Sequence, residues 1–162
     1  MAQIYISLGS NVNKEHYISQ ALKTLKSYFP HLEHSSVFES EAVGFTGSNF
    51  YNSVVGAQTE MQLDHLCQLL KEIEQENGRT INDKKFSPRT LDLDLLFYDD
   101  VVCEAPAQLP RDEITKNAFV LQPLAEIAPN FYHPVAEQTI AQLWSNYNNP
   151  NQKLWKVEFT NP

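Results

Sequence analysis

Hydrophobic and polar positions alternate along several stretches of this chain, and each change of period marks a predicted element. Over Gln3–Leu8 the apolar residues Ile4, Ile6 and Leu8 recur every second position and stop at Gly9-Ser10-Asn11, which predicts a strand and a turn. The period then lengthens. Ile18, Ala21, Leu22, Leu25 and Tyr28 follow the spacing of an amphipathic helix, with Asn13 as its cap and Pro30 beyond its end. Ser35–Ser40 reads as a second strand, Glu41–Asn49 as a polar loop and Tyr51–Thr59 as a third strand. Met61–Asn77 is the clearest helix: Leu63, Leu66, Cys67, Leu70 and Ile73 share one face, and Gly78 is its left-handed stop. A polar, lysine-bearing loop leads to a strand over Thr90–Tyr98. The order β-α-β-β-α-β predicts an α+β fold with a ferredoxin-like core. Helices around Phe119–Ala128 and Thr139–Asn146 and a short strand over Leu154–Phe159 form a C-terminal extension. No repeat, low-complexity tract or linker interrupts the pattern, so residues 1–162 are expected to form a single domain.

The fourth core strand carries the chemistry. In Ser87-Pro88-Arg89-Thr90-Leu91-Asp92-Leu93-Asp94-Leu95, the leucines point to one side while Asp92 and Asp94 point together to the other. Two residues along a strand separate Cα atoms by about 6.5–7 Å. Two carboxylates at that distance repel by about 2 kcal/mol at an effective dielectric near 20, and aspartate is a poor strand former. A hard divalent cation is the natural use for such a pair, because Mg²⁺ takes one or two carboxylates together with substrate phosphates. Arg89 just upstream suits a phosphate oxygen. Asp-x-Asp also occurs without function on solvated edge strands. Here Arg79, Lys84, Lys85, Arg89, Arg111 and Lys116, half of the chain's 12 basic residues, lie interleaved with acidic ones around the pair. That mixture suits a polyphosphate–metal complex better than a nucleic-acid backbone.

Composition narrows the classes. With 162 residues, 42% of them hydrophobic, the chain can bury a real core. A net charge of −8 argues against nucleic acid or an anionic membrane as partner. The N-terminus lacks the charged and apolar regions of a signal peptide, and no apolar run reaches the roughly 18–20 residues of a membrane span. Cys67 and Cys103 lack metal-like spacing, which fits a reducing cytoplasm. No P-loop or G-x-G-x-x-G turn is present, so a polyphosphate would not sit in either. The five histidines are scattered and read as surface or local packing.

The 87–96 segment closely resembles the signature of the 6-hydroxymethyl-7,8-dihydropterin pyrophosphokinase family. Four further blocks resemble that family in its own order: Tyr5–Asn11, Phe50–Val55, Ile73-Glu74 with Gly78-Arg79, and Phe119–Pro129. The resemblance implies a folate-pathway enzyme that transfers the pyrophosphoryl group of ATP to the hydroxymethyl group of the pterin, leaving AMP. It implies that Asp92 and Asp94 hold two Mg²⁺ ions and that Arg79 and Arg89 contact phosphate. It further implies nucleotide contacts at Lys71, Glu74, Arg111 and Asp112, and a pterin slot formed by Ser40, Val43, Phe50, Asn52 and Phe119. Such an enzyme is expected to be a cytoplasmic monomer whose partners are ATP and the pterin.

The chain departs from the family pattern in places. Arg111 and Asp112 stand where the family has histidine and tyrosine, Asn117 where it has an arginine, and Lys71 where it usually has glutamine. Arg111, permanently charged, is expected to replace the missing cation, with Asp112 orienting it. Two alternatives stay open on sequence: a diverged paralogue that binds nucleotide or pterin with little catalysis, and a metal–nucleotide enzyme acting on another alcohol.

Overall fold

The computed structural model describes residues 1–41, 48–78 and 90–159. Within them the chain runs β1 (Ala2–Ser10), α1 (Lys14–Tyr28), β2 (Glu33–His34), β3 (Val37–Ser40), β4 (Phe50–Thr59), α2 (Leu63–Glu76), β5 (Asp92–Tyr98), α3 (Glu113–Lys116), α4 (Ala118–Ile127), β6 (Tyr132–His133), β7 (Gln138–Thr139), α5 (Ile140–Asn146) and β8 (Leu154–Val157). The main sheet is antiparallel in the order β5-β1-β4-β3-β8, with β2 also pairing β4. The long loop expected between α2 and the acidic strand, and most of the one before β4, lie outside the described residues. No described helix is long and apolar enough to cross a membrane.

Local chemistry explains where the observed elements depart from the expected ones. The strand expected over Ser35–Ser40 is broken, because the Ser35 hydroxyl accepts the Val54 N–H at 2.9 Å, a bond a strand carbonyl would otherwise take. Glu126 then accepts the freed N–H of Ser36, so pairing with β4 resumes only at β3. Asn13 does precede the first helix, but its side chain makes no capping bond. It sits instead in the left-handed region at φ 49, which asparagine tolerates, and its carbonyl accepts from Tyr17. Gly78 ends α2 with φ +89, the stop expected of it. The short helix α3 and the β6–β7 hairpin were not expected from the pattern.

Two apolar clusters sandwich the sheet. On one face α1 (Ile18, Ala21, Leu22, Leu25) and α2 (Leu66, Leu69, Leu70, Ile73) pack on Ile4, Ile6 and Leu8 of β1 and on Leu91, Leu93 and Leu95. On the other, α3, α4 and α5 cover Val54, Leu96 and Phe97 through Ile114, Val120, Leu121, Leu124 and Ile140. Strict alternation would send Phe97 to the leucine face. A register shift between Tyr5 and Ile6 turns it over, so that it pairs with Tyr5 and packs edge-on against that ring. Helix α4 therefore covers the Tyr5 end of this second face. The other end of the same face carries the small and polar residues Ser7, Gly9, Asn52, Asp92 and Asp94.

Candidate functional site

Register brings the chemically active residues together. Gly9 is paired on one side with Asp92 and on the other with Asn52, and Asn52 is paired with Phe38. Paired residues share a face, so one row across the sheet reads Asp92, Gly9, Asn52, Phe38. Asp94 lies one repeat along, opposite Ser7. With strands about 4.8 Å apart, Asp92 and Asn52 stand roughly 10 Å from each other, a distance that a flat bicyclic ring and its first phosphate can span. Gly9 sits at the middle of the row: a Cβ built there would lie 3.9 Å from the Asn52 Oδ1, 3.9 Å from the Phe50 ring and 4.0 Å from the Asp92 Cβ. Glycine thus keeps the floor between the acidic end and the amide end low.

The acidic end is crowded with negative charge. Asp92 and Asp94 are half-buried on β5 between fully packed leucines. Glu74, near the end of α2, accepts the backbone N–H of Leu93, between the two aspartates, at 2.7 Å. This bond fastens α2 to the outer edge of β5. Burial, then the neighbouring Asp92 and more weakly Glu113 and Glu74, push the Asp94 carboxyl above the usual carboxylate range, against the pull of Arg111. A pair that resists its own charge is one that a cation stabilises. Among the described residues the basic side chain that reaches it is Arg111, whose Nη2 lies 3.2 Å from Asp94 Oδ1 and 3.1 Å from Glu113 Oε1. Burial works against the Arg111 charge, but Asp94 and Glu113 outweigh it, and its pKa is raised.

The donor set suits a hard cation. It consists of carboxylate oxygens on one strand face, and no cluster of three or more His, Cys, Asp or Glu side chains able to hold a metal forms among the described residues. Two carboxylates fit Mg²⁺, which fills its remaining positions with water and phosphate oxygens.

At the other end Asn52 is buried, and its Nδ2 donates to the Ser40 hydroxyl at 2.8 Å and more weakly to the Phe38 carbonyl at 3.5 Å. Those bonds fix the carboxamide plane and leave Oδ1 on the Gly9 side. Phe50, the first residue of β4, lies on the same face as Asn52 and is half-buried. Phe119, also half-buried, lies in the first turn of α4, where Pro123 cannot donate the N–H that would bond its carbonyl.

The structure therefore joins Asp92, Asp94, Glu74 and Arg111 at one end of the row, and Ser40, Phe50 and Asn52 at the other. Lys71 is exposed on α2, one turn before Glu74. Asp112 does not orient Arg111 as expected: it is exposed and pairs with Lys116 at 2.9 Å, and Glu113 holds the guanidinium instead. One residue further along, at the start of α3, the side chain faces inward, which is why Glu113 and not Asp112 meets Arg111. Val43, Arg79 and Arg89 lie outside the described residues. Sequence reasoning offered Glu113 only as a loop ion-pair partner of Arg111 and gave Gly9 only a turn; the pairing of Gly9 with both Asp92 and Asn52 is a long-range fact that no local pattern signals.

The model of the family described as 7,8-dihydro-6-hydroxymethylpterin-pyrophosphokinase matches residues 5–129. A 2-amino-4-hydroxy-6-hydroxymethyldihydropteridine pyrophosphokinase of Aquifex aeolicus is 35% identical over 145 residues, which cover 88% of this chain and 90% of that protein. The protein of the same name from Synechocystis is 42% identical over 110 residues, covering 67% of this chain and 56% of that one. In structure the chain is similar to wild-type Plasmodium falciparum HPPK-DHPS, with a TM-score of 0.70 at 15% identity. That match covers 90% of this chain and 41% of the other, so the chain spans less than half of that longer protein.

Proposed function

This chain belongs to the 7,8-dihydro-6-hydroxymethylpterin-pyrophosphokinase family, and from that premise we propose that the row from Asp92 to Asn52 is its active site. The reaction transfers the pyrophosphoryl group of ATP to the hydroxymethyl oxygen of 6-hydroxymethyl-7,8-dihydropterin, a step of folate biosynthesis. A bond forms between that oxygen and the β-phosphorus, the bond from the β-phosphorus to the bridging oxygen of the α-phosphate breaks, and AMP leaves. The observation that carries the site is the shared register of Asp92, Gly9 and Asn52.

In this reading Asp92 and Asp94 hold two Mg²⁺ ions, which when bound would neutralise the ATP phosphates and align them. The protein's own part is placement, as in phosphoryl transfer generally. Asn52, locked by Ser40, presents Oδ1 to the pterin's amino edge. Phe50 and Phe119 flank the ring, and Val43 is assigned to the same slot. The Gly9 floor lets the hydroxymethyl arm reach the acidic end. Arg79, Arg89 and Arg111 bind phosphate, while Lys71, Glu74 and Asp112 border the nucleotide. The core is ferredoxin-like in this reading, which the order β5-β1-β4-β3 supports. The protein acts as a monomer, in the cytoplasm.

The test is incubation with ATP, Mg²⁺ and hydroxymethyldihydropterin, separating nucleotides by chromatography. AMP formed in step with pterin diphosphate is the expected result. ADP in place of AMP, or no pterin-dependent turnover, would refute the assignment.

A further inference from the structure

The loop before α3 brings a positive charge to the acidic strand without any metal. The Arg111 backbone N–H donates to the Leu96 carbonyl of β5 at 3.1 Å, which fixes the residue beside the strand. Its side chain then makes two kinds of contact. Nε and Nη2 both reach Glu113 Oε1, at 3.2 and 3.1 Å, and Nη2 alone reaches Asp94 Oδ1, at 3.2 Å. The grip on Glu113 is the double one, and the contact to Asp94 is the single one. Arg111, Asp94 and Glu113 are each only about one quarter exposed, so solvent screens these charges little.

A divalent ion bound to Asp94 through oxygen at about 2.0–2.1 Å would stand within a few ångströms of that guanidinium. Two cations that close in a half-buried site repel strongly. One must give way, and the geometry says which bond breaks first: Nη2 can leave Asp94 while both contacts to Glu113 remain.

Resting on the pyrophosphokinase reading of this site, we propose that Arg111 is an exchangeable counter-cation. It neutralises Asp94 in the ligand-free protein, and yields it when metal arrives with nucleotide. Glu113 is the positioning residue that keeps the released guanidinium beside the incoming phosphates. Metal arriving alone brings no group to receive the displaced guanidinium and meets an unscreened neighbouring cation. Metal arriving on a nucleotide brings phosphate oxygens to which the displaced Nη2 turns. The device therefore favours the metal–nucleotide complex over the bare ion.

The experiment measures Mn²⁺ binding to the nucleotide-free protein by the loss of its free-ion paramagnetic resonance signal, alongside binding of a non-hydrolysable MgATP analogue. Arg111→Ala and Arg111→Gln should both bind Mn²⁺ alone roughly ten- to hundredfold more tightly than wild type, the weight of one displaced charge-assisted bond. The same variants should bind the MgATP analogue more weakly. Glu113→Gln should move Mn²⁺ binding the opposite way, since Arg111 then leans wholly on Asp94. Opposite signs from neighbouring residues would not arise from general damage to the loop. Unchanged or weaker Mn²⁺ binding in both Arg111 variants overturns the exchange while leaving the metal site standing. Wild-type Mn²⁺ binding in Asp94→Ala removes the metal role of Asp94, and the exchange with it.

Discussion

Asp92 and Asp94 cost the protein stability where they stand, and that cost is the best guide to what they do. Burial and the repulsion of Asp92 raise the Asp94 pKa above the ordinary carboxylate value. Replacing either aspartate with Asn relieves the repulsion and removes a proposed metal ligand. Turnover measured by AMP release should fall on the order of a hundredfold or more, as loss of several kcal/mol of transition-state stabilisation requires. The melting temperature should not fall. Full activity in both single variants would sink the metal assignment. Asn52 is different, because its carboxamide is already committed on one side to Ser40. Asn52→Ala should raise the KM for pterin by roughly ten- to hundredfold, the scale of one lost hydrogen bond in a buried slot, and leave the KM for ATP nearly unchanged. An equal rise in both KM values would place Asn52 outside the pterin slot.

Elements in this fold are held by a few close contacts that tolerate little change. Gly56 on β4 faces Tyr5 on β1, and a Cβ at Gly56 would meet the Tyr5 ring at 2.7 Å. That ring cannot swing away freely, because Phe97 and Phe131 pack edge-on against it. Gly56→Ala should therefore destabilise the protein by about 1–3 kcal/mol through overpacking, seen as a lower urea midpoint. An unchanged midpoint would mean that the aromatic cluster repacks. The β6–β7 hairpin turns on His133, whose Nδ1 accepts the N–H groups of Val135 and Ala136 at 3.2 and 2.9 Å. Burial lowers its pKa. A depressed folded value contributes stability that is present above the ordinary pKa of about 6.5 and lost as pH falls through the folded one. Protonating Nδ1 would also break both bonds. His133→Asn keeps an acceptor but cannot titrate. Its melting temperature should thus fall less than that of wild type between pH 7 and pH 5, and parallel curves would show that His133 is not coupled to folding.

Across the whole molecule, the C-terminal segment is tied to the site through Gln152. Its Oε1 accepts the Ala118 N–H at 2.7 Å, at the start of α4, and the Tyr147 hydroxyl at 2.8 Å. Its Nε2 donates to the Lys116 carbonyl and to Asn117 Oδ1. One side chain thereby clasps the junction between α3 and α4, with Arg111 on one side and Phe119 on the other. Beyond it, β8 adds to β3, and Lys156 pairs with Glu126 of α4 at 3.2 Å. Gln152→Ala should speed amide exchange at Ala118 and raise the KM for pterin, at a cost of about 1 kcal/mol in stability. Unaltered exchange at Ala118 would show that the α4 start is held by other contacts.

The periodicity of single elements was legible in the sequence because it is a local property. Ile4, Ile6 and Leu8 alternate, Leu66, Leu70 and Ile73 repeat at helical spacing, and Asp92 and Asp94 share a side, whatever the rest of the chain does. The likeness of the 87–96 segment to the pyrophosphokinase signature was equally open to view, and the family match bears it out. Pairing was not legible. That Gly9 stands between Asp92 and Asn52 depends on strands far apart in sequence adopting one register. That Phe97 faces Tyr5 depends on a bulge, and that the second strand breaks depends on the Ser35 hydroxyl finding Val54. Electrostatic partners belong to the same class. The sequence offered Arg111 two acidic neighbours in the chain, and only the turn into α3 decided that Glu113 and Asp94 share it while Asp112 faces Lys116. Hydrophobic period is set by backbone geometry residue by residue, whereas contacts between charges are set by where the folded chain returns.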